Sequence, residues 1–172
     1  VVGRRGVLDD TVVNVTADND FSGTVQLSGL SAGTAYDYRL IVGGTVVAST
    51  TSDFSTLRAA SAGKLTFAIG GDIRFGQADP YPIFDRIGSH HPDFMILTGD
   101  QIYSDFPKIL GDPQDSDDPK EVPGHLPDLR GAYFKKHKEN WGEEHFAAFM
   151  RHTPTYMILD DHELENNWDS GT

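Results

Sequence analysis

The stretch Pro92-Asp93-Phe94-Met95-Ile96-Leu97-Thr98-Gly99-Asp100 predicts a buried β-strand that ends at a glycine and an acid. Its four consecutive apolar residues, bounded by turn-forming residues, are typical of a strand covered on both faces. Two more segments follow the same pattern. Residues 64–69 lead into Gly70-Gly71-Asp72, and residues 155–159 lead into Asp160-Asp161-His162-Glu163. The sequence therefore predicts three buried strands, each followed by carboxylates.

The segments between these strands predict helices. Residues 80–87 place apolar side chains on one helical face and begin with a proline, which favours a helix start. Residues 129–138 and 143–151 predict two more helices, after a Pro- and Asp-rich loop at residues 105–128 that is long enough to be a functional cover. Strands that alternate with helices indicate an α/β domain over residues 61–172. The basic run at residues 135–138 is expected to form a solvated helix face, because it is short and the chain is acidic.

The first sixty residues have a different composition, which is rich in Thr, Val, Ser and Gly. Their alternation predicts short strands at residues 11–16, 23–27, 36–42 and 45–49. A leucine, a glycine turn and then Tyr36 at the start of a strand form the pattern of a tyrosine corner, whose phenol bonds to upstream backbone. This pattern resembles the fibronectin type III version of the immunoglobulin-like sandwich. Such sandwiches need about 100 residues, so we expect residues 1–60 to be an incomplete all-β sandwich.

The composition excludes several classes of function. The chain has 172 residues and a formal net charge of −12, which argues against binding to nucleic acids or anionic membranes. It contains no cysteine, so disulfides, zinc–thiolate sites and cysteine nucleophiles are excluded. No apolar run approaches the roughly 20 residues that span a bilayer. A cluster of carboxylates that binds cations is compatible with the acidic charge.

The acids at the three predicted strand ends point to such a cluster. In open α/β sheets, ligands bind in the crevice beyond the carboxyl ends of the strands. Several carboxylates converge there stably only when they are protonated or neutralised by cations. Two hard metal ions about 3.5–4 Å apart meet this need and are the usual clamp for phosphoryl transfer. The alternative is that Asp72 and Asp100 are ordinary helix N-caps.

Three short blocks carry a family resemblance. Gly71-Asp72, Gly99-Asp100-Gln101-Ile102-Tyr103 and Asp161-His162-Glu163 resemble the first three motifs of the calcineurin-like metallophosphoesterase superfamily. The GDxIY block and the DDHE block followed by Asn and Trp resemble the PhoD-like (alkaline phosphatase D) family most closely. The resemblance implies a dinuclear centre and a metal-bound hydroxide that hydrolyses phosphate monoesters or diesters. It also implies Fe³⁺ with Ca²⁺, with Zn²⁺ or Mn²⁺ as alternatives, and a periplasmic or extracellular location.

The resemblance also implies the metal ligands. Asp72 and the Tyr103 phenolate would bind the first metal, where the phenolate favours Fe³⁺. Asp100 would bridge both metals, and Asp161 would bind the second.

Three further residues receive catalytic roles from the same resemblance. His162 would protonate the leaving group or stabilise charge on the phosphoryl group, and Glu163 would orient it. Arg74 stands where the superfamily has a histidine. Arginine cannot ligate a metal, but its planar fork of donors suits a substrate phosphate.

The superfamily completes its site with an isolated His and a GHxH block, which do not follow the third strand here. We therefore expect this chain to hold half of a catalytic domain, to be cut at both ends, and to need the remaining C-terminal polypeptide as a partner. We expect the isolated chain to be inactive. Two alternatives stay open: an enzyme like the purple acid phosphatases, whose GDxxY block is similar, or a non-catalytic secreted binding module with a degenerate phosphatase half.

Overall fold

The computed structural model describes residues 2–3, 12–47, 52–59, 63–73, 81–103 and 129–163. The chain divides into two compact units. The first is Val1–Leu65 with Arg151–Pro154, and the second is Thr66–Met150 with Thr155–Thr172. The predictions for Arg74, for the loop at 105–128 and for the end of the DDHE block at 164–168 lie outside the described residues. Within these residues, no helix has the length and apolar character that a membrane crossing requires.

The first unit consists of short antiparallel strands. Its strands are β1 (Val2–Gly3), β2 (Ala35–Tyr38), β3 (Ile41–Val42), β4 (Thr45–Val46) and β5 (Ser52–Ser55). One sheet has the order β1-β2-β5, and β3 and β4 form a separate hairpin. The two central residues of that hairpin are glycines with φ of 55° and 81°. This left-handed pair is what a two-residue hairpin turn requires.

Tyr36 on β2 forms the backbone contact that the tyrosine-corner pattern predicts. The amide of Ser31 donates a hydrogen bond to the Tyr36 hydroxyl at 2.8 Å. The Tyr36 ring is buried and stacks on Phe54 of the neighbouring strand β5, with 5.7 Å between ring centroids. The described part of this unit contains two small sheets, and the incomplete sandwich that the sequence suggested over residues 1–60 stays a prediction.

Two predicted strands are wrong for the described residues. Residues 12–16 and 23–27 form no strand, although apolar residues alternate with polar ones within both segments. Val12 and Val25 lie exposed in these segments. Alternation favours a strand only where a neighbouring strand covers one face, so the pattern alone does not decide. The partners of β2 are instead β1 and β5, two short segments that sequence analysis missed.

The second unit contains a parallel three-stranded sheet with the order β6-β7-β8. Its elements in chain order are β6 (Phe67–Gly70), α1 (Ile83–Gly88), β7 (Phe94–Leu97), α2 (Leu129–Trp141), α3 (Glu144–His152) and β8 (Thr155–Met157). The three strands and three helices lie where the sequence predicts them, with shifted ends. Parallel strands joined through helices form the α/β arrangement that the sequence predicts for this part of the chain.

Among the described residues, those on one face of this sheet are covered and those on the other are largely exposed. Side chains from the sheet, from α1 and α3 and from the segment after β6 form the covered core: Ile73, Phe84, Met95, Leu97, Phe146 and Phe149. The Phe84 and Phe146 rings lie 4.5 Å apart in this core. Side chains of the opposite face are apolar and more than half exposed: Phe67, Ile69, Tyr156 and Ile158. The core holds the strands in register, which places their ends together.

Candidate metal centre

The carboxyl ends of the three parallel strands are level. Gly70 of β6 pairs with Leu97 of β7, and Leu97 pairs with Met157 of β8. The segments that follow therefore leave the sheet at one edge, which we call the rim (residues 70–73, 98–103 and 158–163). Two backbone bonds continue the pairing into the rim. The amide of Asp72 donates to the Gly99 carbonyl at 3.3 Å, and the amide of Ile73 donates to the Asp100 carbonyl at 2.8 Å.

Two glycines allow the rim segments to approach so closely. A Cβ atom on Gly71 would lie 2.6 Å from the Thr98 hydroxyl oxygen. A Cβ on Gly99 would lie 2.6 Å from the backbone nitrogen of Asp160, and Gly99 also has a φ of 108°. Both the contact and the backbone conformation require glycine at position 99. The glycines of the Gly-Asp motifs therefore bring the strand ends into contact.

The acids that follow these glycines also adopt left-handed backbone conformations. The φ angle is 58° at Asp72 and 52° at Asp100. Such values are uncommon for residues other than glycine, although Asp tolerates them better than most. Strained conformations of this kind cluster at functional sites. Among the described residues Asp100 is not a helix N-cap, because residues 101–103 after it are not helical. Its Oδ1 instead accepts the amide of His162 at 3.3 Å, 62 residues along the chain.

The predicted ligands of the first metal lie together. The Tyr103 hydroxyl donates to Asp72 Oδ1 at 3.3 Å, and the phenol also interacts with the Asp100 carboxylate. Burial raises the pKa of Tyr103, and the negative charges of Asp100 and Asp72 raise it further. The phenol is therefore a neutral donor when no cation is bound. A cation between the phenol and the carboxylates would oppose these charge effects.

A second group of possible ligand residues lies around Asp100. Ligand atoms of Asp100, Asp161 and His162 all lie within 4.8 Å of one another. Burial raises the pKa of Asp100, the charges of Asp161 and Asp72 act in the same direction, and the amide and ring of His162 oppose them. Crowded, partly desolvated carboxylates with a phenol and an imidazole suit hard or borderline cations. The residues present thus fit a metal centre, and His162 joins the possible ligands.

The structure places His162 over the predicted phenolate ligand. Its ring lies 4.3 Å from the Tyr103 ring, and its Nε2 lies 4.0 Å from Asp100 Oδ2. Asp72, Asp100, Tyr103 and Asp161 are thus brought into one cluster with His162. Their individual roles stay predictions.

Glu163 is buried and ties two rim segments together. Its carboxylate accepts the amides of Asp100 at 3.1 Å, Gln101 at 2.6 Å and Asp160 at 2.9 Å. These bonds join the end of β7 to the segment after β8, on which two candidate ligands lie. The prediction that Glu163 orients the His162 ring stays a prediction. In the structure, Glu163 binds the backbone amides on both sides of the Asp100 Cα atom.

Sequence analysis missed three polar residues that support the rim. The side-chain amide of Gln101 donates to the Ile158 carbonyl at 2.9 Å, and Asn140 and Lys136 on α2 donate to other rim carbonyls. Gln101 is the unspecified position of the GDxIY block. Asn140 lies beyond the predicted end of its helix at residue 138. The signal that could have found it is its spacing of four residues from Lys136, which places both on one helix face.

The basic run at residues 135–138 is not the uniform solvated face that the sequence suggested. Lys135 and Lys138 are exposed, but Lys136 and His137 are half-buried. This difference in exposure follows from the helix period, because adjacent side chains on a helix point in different directions.

Comparison with solved structures identifies a similar fold. The solved structure of PhoD has a TM-score of 0.63 and 21% sequence identity, with 84% of this chain and 28% of the PhoD chain covered. At this identity the similarity concerns the fold. The chain thus spans little more than a quarter of the PhoD chain. A comparison with curated protein sequences gives no match.

A protein-family model matches the part of the chain that contains all three blocks. The model, described as PhoD-like phosphatase, matches residues 68–172, which is more than half of the chain. This range includes Asp72, Asp100, Tyr103, Asp161 and His162. The chain therefore belongs to the PhoD-like phosphatase family.

Proposed function

We propose that the rim is half of a dinuclear metal centre that hydrolyses phosphate monoesters or diesters. The observation that carries this proposal is the convergence of three carboxylates, a phenol and an imidazole at the carboxyl ends of three parallel strands. Ligands bind at this edge in open α/β sheets. Membership of the PhoD-like phosphatase family supports the same substrate class.

We propose that the ligands divide between two cations. Asp72 and Tyr103 would hold the first, Asp161 would hold the second, and Asp100 lies between the two groups. When bound, the cations supply Lewis-acid polarisation of the phosphoryl oxygens and lower the pKa of the attacking water. By family resemblance the pair is Fe³⁺ with Ca²⁺, and Zn²⁺ and Mn²⁺ are the alternatives.

His162 is proposed as the group that donates a proton to the leaving alkoxide. Its half-buried ring lies against Tyr103 and beside the Asp100 carboxylate. The same geometry permits His162 to be a metal ligand, and metal titration of a His162 variant separates the two roles. Arg74 is proposed to contact the substrate phosphate.

We further propose that additional polypeptide completes the centre and covers the open face of the parallel sheet. That face exposes Phe67, Ile69, Tyr156 and Ile158, an apolar surface of the kind that α/β proteins bury. The short span of the chain relative to PhoD is consistent with this proposal. Metal-dependent hydrolysis of p-nitrophenyl phosphate by a purified chain of residues 1–172 would contradict it.

Two further proposals concern the context of the catalytic unit. The Ser31–Tyr36 hydrogen bond supports a fibronectin type III-like sandwich that includes residues 1–60. A periplasmic or extracellular location rests on the family resemblance, and cell fractionation tests it.

The proposed function is tested with the full-length protein. We expect it to contain stoichiometric metal and to hydrolyse p-nitrophenyl phosphate or bis-p-nitrophenyl phosphate. We also expect chelation to abolish this activity and Fe³⁺ with Ca²⁺, or Mn²⁺, to restore it. The ratio of the two rates distinguishes a monoesterase from a diesterase. A pure protein that contains no metal and hydrolyses neither compound would support the non-catalytic alternative instead.

A further inference from the structure

Helix α2 directs two side-chain donors at the rim. Lys136 and Asn140 are four residues apart and therefore lie on the same helix face. Asn140 is 3% exposed, although it is a polar residue in the last turn of the helix. A buried amide is stable only when its polar atoms are hydrogen-bonded, so its partners define what it does there.

Asn140 bonds to two segments of the rim at once. Its amide nitrogen donates to the Ile73 carbonyl at 3.0 Å and to the Gln101 carbonyl. Ile73 directly follows Asp72, and Gln101 directly follows Asp100. The two hydrogens of one amide group thus link the backbones that carry Asp72 and Asp100, both of which have left-handed conformations.

Lys136 bonds to the third ligand-bearing position on this side. Its ammonium nitrogen donates to the Tyr103 carbonyl at 2.7 Å. Gln101 extends the network to the last strand, because its side chain donates to the Ile158 carbonyl at 2.9 Å. The three segments of the rim are therefore connected through side-chain donors as well as through their own backbone bonds.

We infer that Asn140 and Lys136 are positioning residues that set the spacing of Asp72, Asp100 and Tyr103 for metal binding. This inference rests on the proposed function of the same site. Neither residue is placed to ligate metal through its described bonds, since both act on backbone carbonyls. Groups that orient metal ligands are often as necessary as the ligands, and their loss costs about 10- to 100-fold in metal affinity or activity.

The test uses the full-length protein, with Mn²⁺ as the calorimetric probe and p-nitrophenyl phosphate as the substrate. We expect Asn140→Leu to weaken Mn²⁺ binding by about 10- to 100-fold and Lys136→Met by about 10-fold. We expect kcat to fall by similar factors and KM to change less than about threefold, because the substrate-binding groups are retained.

Matched variants separate positioning from general damage. Lys135→Met is the control on the same helix, because Lys135 is exposed and pairs with Glu139 at 3.5 Å; it should bind Mn²⁺ like the wild type. Lys136→Arg retains a donor and should restore most of the affinity. If Asn140→Leu does not fold, the Lys136 pair decides the question.

Two results would overturn the inference, and they differ from each other. Folded Asn140→Leu and Lys136→Met proteins that bind Mn²⁺ as the wild type does would refute positioning and leave the proposed function intact. A wild-type protein that neither binds Mn²⁺ nor hydrolyses phosphate esters would refute the proposed function and this inference with it.

Discussion

The two ends of strand β7 carry the same residue type in different surroundings. Asp93 precedes the strand, where its carboxylate accepts the Thr66 amide at 2.8 Å and its own amide donates to the Thr66 carbonyl at 2.7 Å. Asp100 follows the strand, is buried, and lies close enough to Asp72 and Asp161 for their charges to raise its pKa. One acid ties two backbone segments together, whereas the other belongs to a cluster of like charges.

This difference shows that position in a parallel sheet decides what an aspartate does. At the amino end, a hydrogen bond to a neighbouring segment satisfies the carboxylate. At the carboxyl end, three chain segments leave the sheet together and bring their acids into one place. The excess negative charge there is unfavourable for the metal-free protein and favourable for cation binding.

The largest expected effect is on activity. Asp100→Asn removes the central carboxylate of the cluster, so we expect kcat/KM for p-nitrophenyl phosphate to fall by about 10³-fold or more. Asp93→Asn retains an oxygen that accepts the Thr66 amide, so its rate should stay within about twofold. Steady-state kinetics of the full-length variants measure both values. Equal losses of kcat/KM in the two variants would mean that an aspartate at the rim matters no more for activity than one at the other end of the strand.

The next largest effect is on stability, and it tests the close approach of the strand ends. Gly99→Ala should lower the free energy of unfolding by about 3 kcal/mol or more, because left-handed strain adds to a clash with the Asp160 backbone. In Gly70→Ala the new methyl group would lie 3.6 Å from the Met95 methyl carbon, an ordinary contact, so the change should stay below about 1 kcal/mol.

Urea unfolding followed by the fluorescence of Trp141, which lies in the second unit, measures the stability of these two variants. A Gly99→Ala protein as stable as Gly70→Ala would show that the rim backbone adapts.

Two buried glutamates provide a comparison of stability with metal binding. Glu143 accepts the amides of Tyr81 at 3.1 Å and Phe146 at 2.8 Å at the start of α3, whereas Glu163 accepts three amides at the rim. Glu→Gln at either site should lower the free energy of unfolding by about 1–3 kcal/mol. Calorimetry should show about 10- to 100-fold weaker Mn²⁺ binding for Glu163→Gln alone.

A result in which Glu143→Gln weakens Mn²⁺ binding as strongly as Glu163→Gln would attribute the loss to general destabilisation. The backbone bonds of Glu163 would then have no particular importance for the centre.

The smallest effect is a pH dependence of stability. Burial lowers the pKa of His137 on α2, and the charge of Glu163 acts in the opposite direction. The unfolded state therefore takes up a proton before the folded state as pH falls below about 6.5, and stability decreases through the folded pKa. His137→Phe, which retains a ring against Trp141, should be less sensitive to acid over this range than the wild type.

Urea unfolding at several pH values measures that slope. His90→Gln, a substitution at an exposed position outside the helices, is the control and should follow the wild-type curve. If the free energy of unfolding of His137→Phe depended on pH as that of the wild type does, His137 would not be the source of this pH dependence.

Much of the second unit follows from local sequence. The apolar runs around Met95 and Ile69 predict strands because buried parallel strands need continuous apolar residues. The Gly-Asp pairs then place acids at strand ends, and parallel pairing puts these ends on one edge. Tyr36 was predictable in the same way, because its contact with Ser31 is local.

What the sequence does not show depends on contacts between distant residues. Ser52–Ser55 is a strand because β2 pairs with it, and its polar composition gives no local signal. Val12 and Val25 alternate with polar residues but lie exposed. Asn140 donates hydrogen bonds to carbonyls 39 and 67 residues away. Its role therefore depends on how α2 packs against the rim, which the local sequence does not show.

The most direct test of the metal centre is anomalous diffraction from crystals of the full-length protein grown with Mn²⁺. We expect two anomalous peaks about 3.5–4 Å apart at the rim, one beside Asp72 and Tyr103 and one beside Asp161, with Asp100 between them. Crystals that contain Mn²⁺ elsewhere, with no peak among these side chains, would contradict this expectation.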